Sequence, residues 1–317
     1  MGSRSASCND VDLVSMILDA VHQIPAGRVA TYGAIARALG DVKAARAVGE
    51  VLSNARLTDV PSHRVVFADG RVAGGSDSMA KLEHEGVRTG NGIVVNLESQ
   101  DFDSFTTHPV LADLNRIQLE RRDSVIEKDD FGELRFLAGL DVAYSGDLGH
   151  AALIIMDPGG EEVLEESTAS CESRFPYIPG YLGLRELPML RKLVRKKKDI
   201  VYLVDGQGQL HPRGYGIACQ VGVELEVPTV GAAKSLLVGN VKAARRGRAA
   251  IELDGRTRGY ALGTGRRKTY VSVGHRISLR TAVAICERTM SCRVPEPLRL
   301  AHLKANAERR AHLEASQ

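Results

Sequence analysis

Apolar positions divide this chain into two differently patterned parts. Over Asp10–His22, the residues Val11, Val14, Ile17, Leu18 and Val21 recur at helical spacing. The pattern predicts a helix capped by Asn9 or Asp10 and stopped by Pro25-Ala26-Gly27. Shorter helices are predicted at Thr31–Leu39, Lys43–Ser53 and Met79–Glu85, with a turn into a short strand at Pro61–Phe67 and a loop at Gly70–Gly75. This makes a small, mainly helical unit. Leu97–Thr107 (LESQDFDSFTT) is polar and acidic with few apolar anchors, the composition of a linker. The period then changes. Leu111–Val125 reads as a helix, and Leu134–Tyr144, Ala151–Met156 and Glu162–Ser167 read as strands. Turn residues in Ser145–Gly149 and Asp157–Gly160 separate these strands, which predicts an antiparallel meander. After a Pro/Gly loop at Phe175–Gly183, a helix is expected from near Arg185–Pro188 to Lys198, with Leu187, Leu190, Leu193 and Val194 inward. Ile200–Val204 is a run of five apolar residues, a strand buried on both faces. Gly216–Val223 and Thr281–Cys286 have helical spacing, and Pro228–Gly231 and Tyr270–Gly274 have strand character. The expected division is a domain over residues 9–95, a linker over 96–108, an α/β domain over 109–305 and a tail over 306–317.

Composition adds three constraints. No apolar run is long enough for a membrane span, and MGSRSASCND lacks the apolar core of a signal peptide, so a cytoplasmic protein without a membrane partner is expected. Five cysteines without paired spacing argue against a disulfide framework. The net charge of +3 conceals an asymmetry. Residues 1–108 carry 10 Lys and Arg against 13 Asp and Glu, whereas residues 109–317 carry 32 against 26. Basic runs at Arg191–Lys198, Lys242–Arg248 and Arg266–Lys268 suit either solvated surfaces or nucleic acid.

The chemistry concentrates at Ile200–Arg213, IVYLVDGQGQLHPR. A buried strand ends at Asp205 on a glycine-rich turn, with His211 and Arg213 close behind. Hairpin strands, then a helix, then a buried strand is the order of a ribonuclease H-like fold. In that order Asp141 falls in the first strand, Glu186 at the start of the helix and Asp205 at the end of the next strand. Three carboxylates at adjoining element ends suit a hard divalent cation with positions left for water and phosphate.

Six blocks then carry a resemblance to the endonuclease V family: GLDVAY (Gly139–Tyr144), FPYIPGYLGLRELP (Phe175–Pro188), VDGQGQLHPRGYGIA (Val204–Ala218), VPTVGAAKSLL (Val227–Leu237), VSVGHRIS (Val271–Ser278) and RVPEPLRLAH (Arg293–His302). The resemblance implies a repair endonuclease that hydrolyses the second phosphodiester 3′ to deoxyinosine and leaves a 5′-phosphate. It implies Mg²⁺, with Mn²⁺ as substitute, held by Asp141, Glu186 and Asp205, with His211 and Lys234 beside the attacking water or the phosphate. Pro176, Tyr177, Ile178 and Pro179 resemble a wedge entering the duplex, though PYIPG alone also suits a rigid turn. Gly180, Leu182, Gly183 and Gly206 would line a pocket for the flipped base. His275 and His302 match family positions as well, with a satisfied structural histidine as the equal alternative.

Residues 24–86 carry a second resemblance, through IPAGRVATYGAIARALG, ARAVGEVLSN, PSHRVV and HEGV, to the winged helix-turn-helix DNA-binding domain of O6-alkylguanine-DNA alkyltransferases. By that match Tyr32 rotates the nucleotide, Arg46 fills its place, Asn54 holds the turn, and His63 and Glu85 flank the nucleophile beside Arg64. The family's acceptor Cys is replaced by Ser62, and a hydroxyl is a far weaker acid than a thiol. The implied domain recognises alkylguanine without repairing it, so no alkyltransferase activity is expected. The expected partners are double- or single-stranded DNA with deaminated or alkylated bases, then inosine-containing RNA and other repair proteins. Two alternatives stay open: a non-cleaving lesion sensor, and an inosine-specific endoribonuclease.

Overall fold

The computed structural model describes residues 11–54, 59–244, 247–265 and 267–315. The chain forms two compact units: Met1–Arg116 with Arg174–Pro179, and Ile117–Ser173 with Gly180–Gln317.

In the first unit, α1 (Leu13–His22) starts where the Asp12 carboxylate accepts the Ser15 N–H at 2.9 Å, so the observed cap is Asp12; Asn9 and Asp10 lie outside the described residues. Leu13, Ile17, Ala20 and Val21 form its buried stripe. Next come β1 (Ala30–Thr31), α2 (Tyr32–Ala38) and α3 (Ala45–Asn54). Thr31 caps α2 by accepting the Ala34 N–H at 3.0 Å. β2 (Val65–Val66) pairs in parallel with β1, and α4 (Gly75–His84) follows. β3 (Thr89–Gly90) and β4 (Ile93–Val94) form a two-residue hairpin. Its turn, Asn91-Gly92, has φ of 53° and 80°, which is why Asn-Gly is found there. The stretch expected as a linker is tied down. It contains α5 (Leu97–Gln100), and Val29 brackets its end through Val29 N–H to Gln100 O at 2.9 Å and Phe102 N–H to Val29 O at 2.7 Å. α6 (Val110–Arg121) follows.

The second unit is built on β5 (Phe136–Ser145), β6 (Leu148–Met156), β7 (Val163–Glu172), α7 (Leu182–Leu190), β8 (Ile200–Val204), α8 (Ile217–Leu225), β9 (Thr229–Ala233), β10 (Asn240–Val241), β11 (Arg248–Leu253), β12 (Arg256–Leu262), β13 (Thr269–His275), α9 (Leu279–Arg288) and α10 (Glu296–Ala315). The strands make one sheet in the order β10-β11-β12-β13-β9-β8-β5-β6-β7. β8 is parallel to both β5 and β9, and the other pairs are antiparallel. This is the mixed α/β, ribonuclease H-like order expected from the pattern.

β8 shows why its five residues are all apolar. Ile200, Tyr202 and Val204 pack among Leu187 and Leu190 of α7 and Ile217 and Val221 of α8. Val201 and Leu203 pack on the opposite face, among Val283 and Ile285 of α9 and Leu298 of α10. Each such side chain contributes roughly 1.5–3 kcal/mol by leaving water. The strand is thereby fixed at the sheet centre, with Asp205 at its end.

Three expectations change. α7 spans Leu182–Leu190, earlier than predicted, and does not reach Lys198. Its basic continuation peels away because the Tyr202 hydroxyl accepts the Arg195 N–H at 3.0 Å and donates to Arg195 O at 2.8 Å. Three cations of the basic run there are met by acids, with Arg191 on Glu224 at 3.4 Å, Arg195 on Glu165 and Lys196 on Glu226. The β11–β12 hairpin was not anticipated. α10 continues without a break through residue 306, where a tail was expected to begin, and buries Ala301 and Ala305 against β5 and β6. No described helix is long and apolar enough to cross a membrane. Cys171, Cys219, Cys286 and Cys292 are free thiols.

Candidate active site and DNA-binding unit

Sheet register assembles the acids. Leu140 pairs with Val204 across the parallel β5–β8 ladder, so Asp141 and Asp205 are the next residues on adjacent strands. The Asp205 N–H bonds Leu140 O at 3.1 Å and extends that ladder by one step. β9 delivers Lys234 just past its end, and its ammonium bonds Asp205 Oδ2 at 2.5 Å. α7 carries Glu186, only 8% exposed. α10 brings His302, whose Nδ1 lies 2.7 Å from Asp141 Oδ2, while Asn306 one turn on donates to the His302 carbonyl at 2.9 Å. Asp141, Asp205 and His302 each offer a ligand atom within 4.8 Å of the others. His302, for which the sequence allows either a site or a structural role, lies against the acids.

The carboxylates sit in a place hostile to negative charge. Burial and the neighbouring Asp205 raise the Asp141 carboxyl above its usual range, with His302 and Lys234 offsetting part of this. Burial, then the charges of Asp141 and Asp205, push Glu186 well above the ordinary glutamate value. Desolvated like charges of this kind are relieved by a cation, and carboxylate oxygens, here with an imidazole beside them, suit a hard divalent ion. The residues present therefore fit Mg²⁺ or Mn²⁺.

The other expected site residues fall into separate groups. His211 is buried; its Nδ1 accepts the Arg213 N–H at 3.2 Å, so Nε2 carries the proton and donates to Gly180 O at 3.1 Å. These bonds run to its own loop and to the Gly180 turn. A Cβ on Gly206 would lie 2.4 Å from Ile217 Cγ2 and 3.9 Å from Leu182 Cδ2, which brings Leu182 and Gly206 together. Gly183 serves helix packing, since a Cβ there would lie 2.2 Å from the Gln220 side-chain oxygen. In the wedge segment, Tyr177 is half exposed and Pro179 exposed, while Pro176 and Ile178 are buried. His275 is buried, accepts the Ile126 N–H at 3.2 Å and is pushed down to about 4 by burial, the behaviour of a structural histidine.

In the first unit, Ser62, His63 and Arg64 form one 3₁₀ turn. Arg64 grips Glu85 through Nε at 2.9 Å and Nη2 at 2.7 Å, and also holds Ile24 O at 2.7 Å; His63 Nε2 lies 2.9 Å from the same carboxylate. Burial would raise the Glu85 carboxyl, but the bonds from Arg64 and His63 outweigh it and bring it to about 2. Tyr32 rests against Phe67 with ring centroids 5.3 Å apart, and Arg46 is exposed beside Glu50. The Asn54 side chain lies outside the described residues. Because the folded carboxyl titrates below its unfolded value of 4.5, its stabilisation is present above pH 4.5 and is lost as pH falls toward 2. By linkage this amounts to at most about 3 kcal/mol. Glu85→Gln is expected to lower the first unit's melting temperature at pH 7 and to flatten its acid limb, checked by thermal melts of the full chain at pH 7 and pH 3. Parallel acid limbs for the two proteins would contradict the role of the Arg64–Glu85–His63 cluster.

A central strand ending among carboxylates, in a chain that also carries a winged helix-turn-helix unit, defines a nuclease with its own DNA-binding domain. The Endonuclease V family model matches residues 119–303, and that of the 6-O-methylguanine DNA methyltransferase DNA-binding domain matches residues 12–87. A protein of Picrophilus torridus named bifunctional methyltransferase/endonuclease is 34% identical over 308 residues, 96% of this chain and 99% of its own. The catalytic domain of human endonuclease V superposes with a TM-score of 0.59 at 30% identity, over 64% of this chain and 97% of that one. Ciona intestinalis endonuclease V, solved with a 23mer DNA containing an inosine followed by a ribo-adenosine, gives 0.56 at 26% identity, over 63% and 97%. The chain belongs to the endonuclease V family, as a DNA repair endonuclease with an alkyltransferase-like DNA-binding domain.

Proposed function

We propose that this protein cuts DNA at the second phosphodiester 3′ to deoxyinosine, leaving a 5′-phosphate, with Asp141, Glu186 and Asp205 holding Mg²⁺ or, in its place, Mn²⁺. The observation that carries the reading is the set of mutually repelling, largely desolvated carboxylates brought together by the middle of β5, the end of β8 and α7, with Lys234 and His302 against two of them. The ion, when bound, supplies Lewis acidity toward the phosphate and lowers the pKa of water. The chain's own residues do the rest. Lys234 places a positive charge where negative charge grows on the phosphate. His302 fixes the orientation of Asp141. His211 holds the Gly180 turn, beside which the flipped base is received. Tyr177 offers an aromatic face where the base has left the stack.

The first unit supplies binding without alkyl transfer. Ser62 offers no thiolate, and the Glu85 carboxylate is already held by Arg64 and His63. In this reading the unit recognises alkylated guanine and raises the local concentration of the nuclease on DNA. The Ciona relative's ribo-adenosine-containing ligand motivates testing the ribose dependence as a second reading.

End-labelled duplexes carrying inosine, O6-methylguanine or neither, incubated with Mg²⁺, test these roles. The expected result is a nick one nucleotide beyond inosine, abolished by chelator, and tighter binding to O6-methylguanine DNA with the methyl group retained. Tight binding with no nick in Mg²⁺ or Mn²⁺ would make the protein a lesion sensor. Cleavage confined to substrates with a ribose 3′ to inosine would make it an endoribonuclease.

A further inference from the structure

Behind the His211–Arg213 loop the second unit holds a polar cleft of about 410 Å³. The β11–β12 hairpin shapes one wall. Its turn is Asp254-Gly255, with φ of 52° and 72°, a two-residue connection that fixes Leu253 opposite Arg256. Arg256 and Arg258 are two residues apart on β12, so the strand's alternation sends both to the same face, and both line the cleft. Arg122 lines it from the turn after α6, and Arg213 from the loop that follows Asp205. Arg213 is buried and held by the Gln118 amide oxygen at 2.5 Å, by Gly180 O and by the Tyr181 ring at 4.4 Å.

The acids of the cleft are differently engaged. Glu127 is occupied, accepting from Arg258 and from Gln209 at 2.8 Å each. Asp123 meets Arg122 only at 3.5 Å with both groups exposed, a contact worth little in water. Asp254 stands at the exposed hairpin tip. Arg256 has no carboxylate partner among the described contacts. Two arginines thus present uncommitted N–H donors at the mouth of a cavity that shares the His211 loop with the proposed base pocket.

We propose that this cleft is a phosphate subsite, holding a backbone phosphate of the substrate strand outside the cleaved bond. The proposal rests on the nuclease reading for its ligand, since the phosphate is that of the nucleic acid being cut. Arginine forks match phosphate oxygens two at a time, and a hairpin with a two-residue turn keeps Arg256 in place before the ligand arrives.

The test is the salt dependence of binding to an inosine duplex, with chelator present so that no strand is cut, together with KM and kcat for nicking in Mg²⁺. Each lost phosphate contact lowers the slope of log K against log salt by about 0.9 on duplex DNA. The double variant Arg122→Gln/Arg256→Gln is expected to lose between one and two such steps and to raise KM at unchanged kcat. Glu127→Gln, which releases Arg258, is expected to tighten binding and steepen the slope, a gain that misfolding cannot imitate. A charge-matched control, Arg191→Gln/Arg195→Gln, alters cations already met by acids and is expected to leave the slope at its wild-type value. Coincident slopes for wild type and the cleft variants, or an equal loss in the control, would overturn the subsite. Absence of nicking by the wild-type protein would instead remove the nuclease reading, while the binding slopes would still report on the cleft.

Discussion

Asp205→Ala is expected to reduce metal-dependent nicking by more than about 10³-fold, the scale on which members of a catalytic constellation fail singly, without lowering the melting temperature. The two halves of this expectation have one cause. Asp141, Glu186 and Asp205 are gathered at partly desolvated positions, and the charge of Asp205 is among the causes that raise both Asp141 and Glu186. Removing it relieves repulsion in the metal-free protein. It also releases Lys234, whose side chain is 37% exposed and so remains hydrated. Glu186→Gln acts on the same repulsion. The amide keeps the volume and removes a charge disfavoured at a site 8% exposed, so in chelator the variant should melt above wild type while nicking is lost in Mg²⁺. Addition of Mg²⁺ should raise the melting temperature of the wild type and not that of Asp205→Ala. A variant that is both less stable and fully active would show that these acids are scaffold and not site.

How much of this could be read in advance depended on where the information lay along the chain. Asp141 and Asp205 were legible because each ends or interrupts an apolar strand run, and the parallel register needs no further information to place them side by side. The contact of His302 with Asp141 joins residues 161 apart, through a helix whose apolar stripe is weak. α10 packs on the strands through Ala301 and Ala305, while Leu303 and Leu313 face water, so hydrophobic spacing gives little warning of it. β7 was underestimated at its far end for a similar reason: at the edge of the sheet, it exposes every second residue, Glu166, Thr168, Ser170 and Glu172, and carries no apolar run there. The β11–β12 hairpin is the reverse case. Asp254-Gly255 between two strand-like segments is a strong local turn signal, obscured by the charged residues on either side of it. Gly183 matched a family block expected to line a base pocket, yet its missing Cβ is needed by Gln220 of the neighbouring helix.

Gly231→Ala should be among the most damaging substitutions in the second unit, although it adds one methyl group and changes no charge. Gly231 lies in β9, paired with Val204 on one side and Ser272 on the other, so its strand cannot slide. A Cβ there would sit 2.3 Å from Gly208 N, 2.8 Å from the Gln207 carbonyl carbon and 2.9 Å from Gly206 O. All three atoms are backbone, in the turn that follows Asp205, so no side chain can rotate out of the way. Either the sheet opens or the turn lifts. Overpacking of this kind costs about 1–3 kcal/mol, which for a unit of this size is a drop of roughly 2–12 °C in melting temperature. Lifting the turn also displaces Asp205 from Asp141, and misplacement of about 1 Å in a reacting constellation costs on the order of 10²-fold in rate. Gly132→Ala supplies the comparison: its Cβ would meet Lys198 O at 3.5 Å, an ordinary contact, so stability and nicking should be nearly unchanged. Calorimetry of the two variants beside wild type, with nicking rates on the same preparations, decides the matter. Equal melting temperatures for the two alanine variants would show that the turn after Asp205 yields freely and that its close packing on β9 does not hold the carboxylate in place.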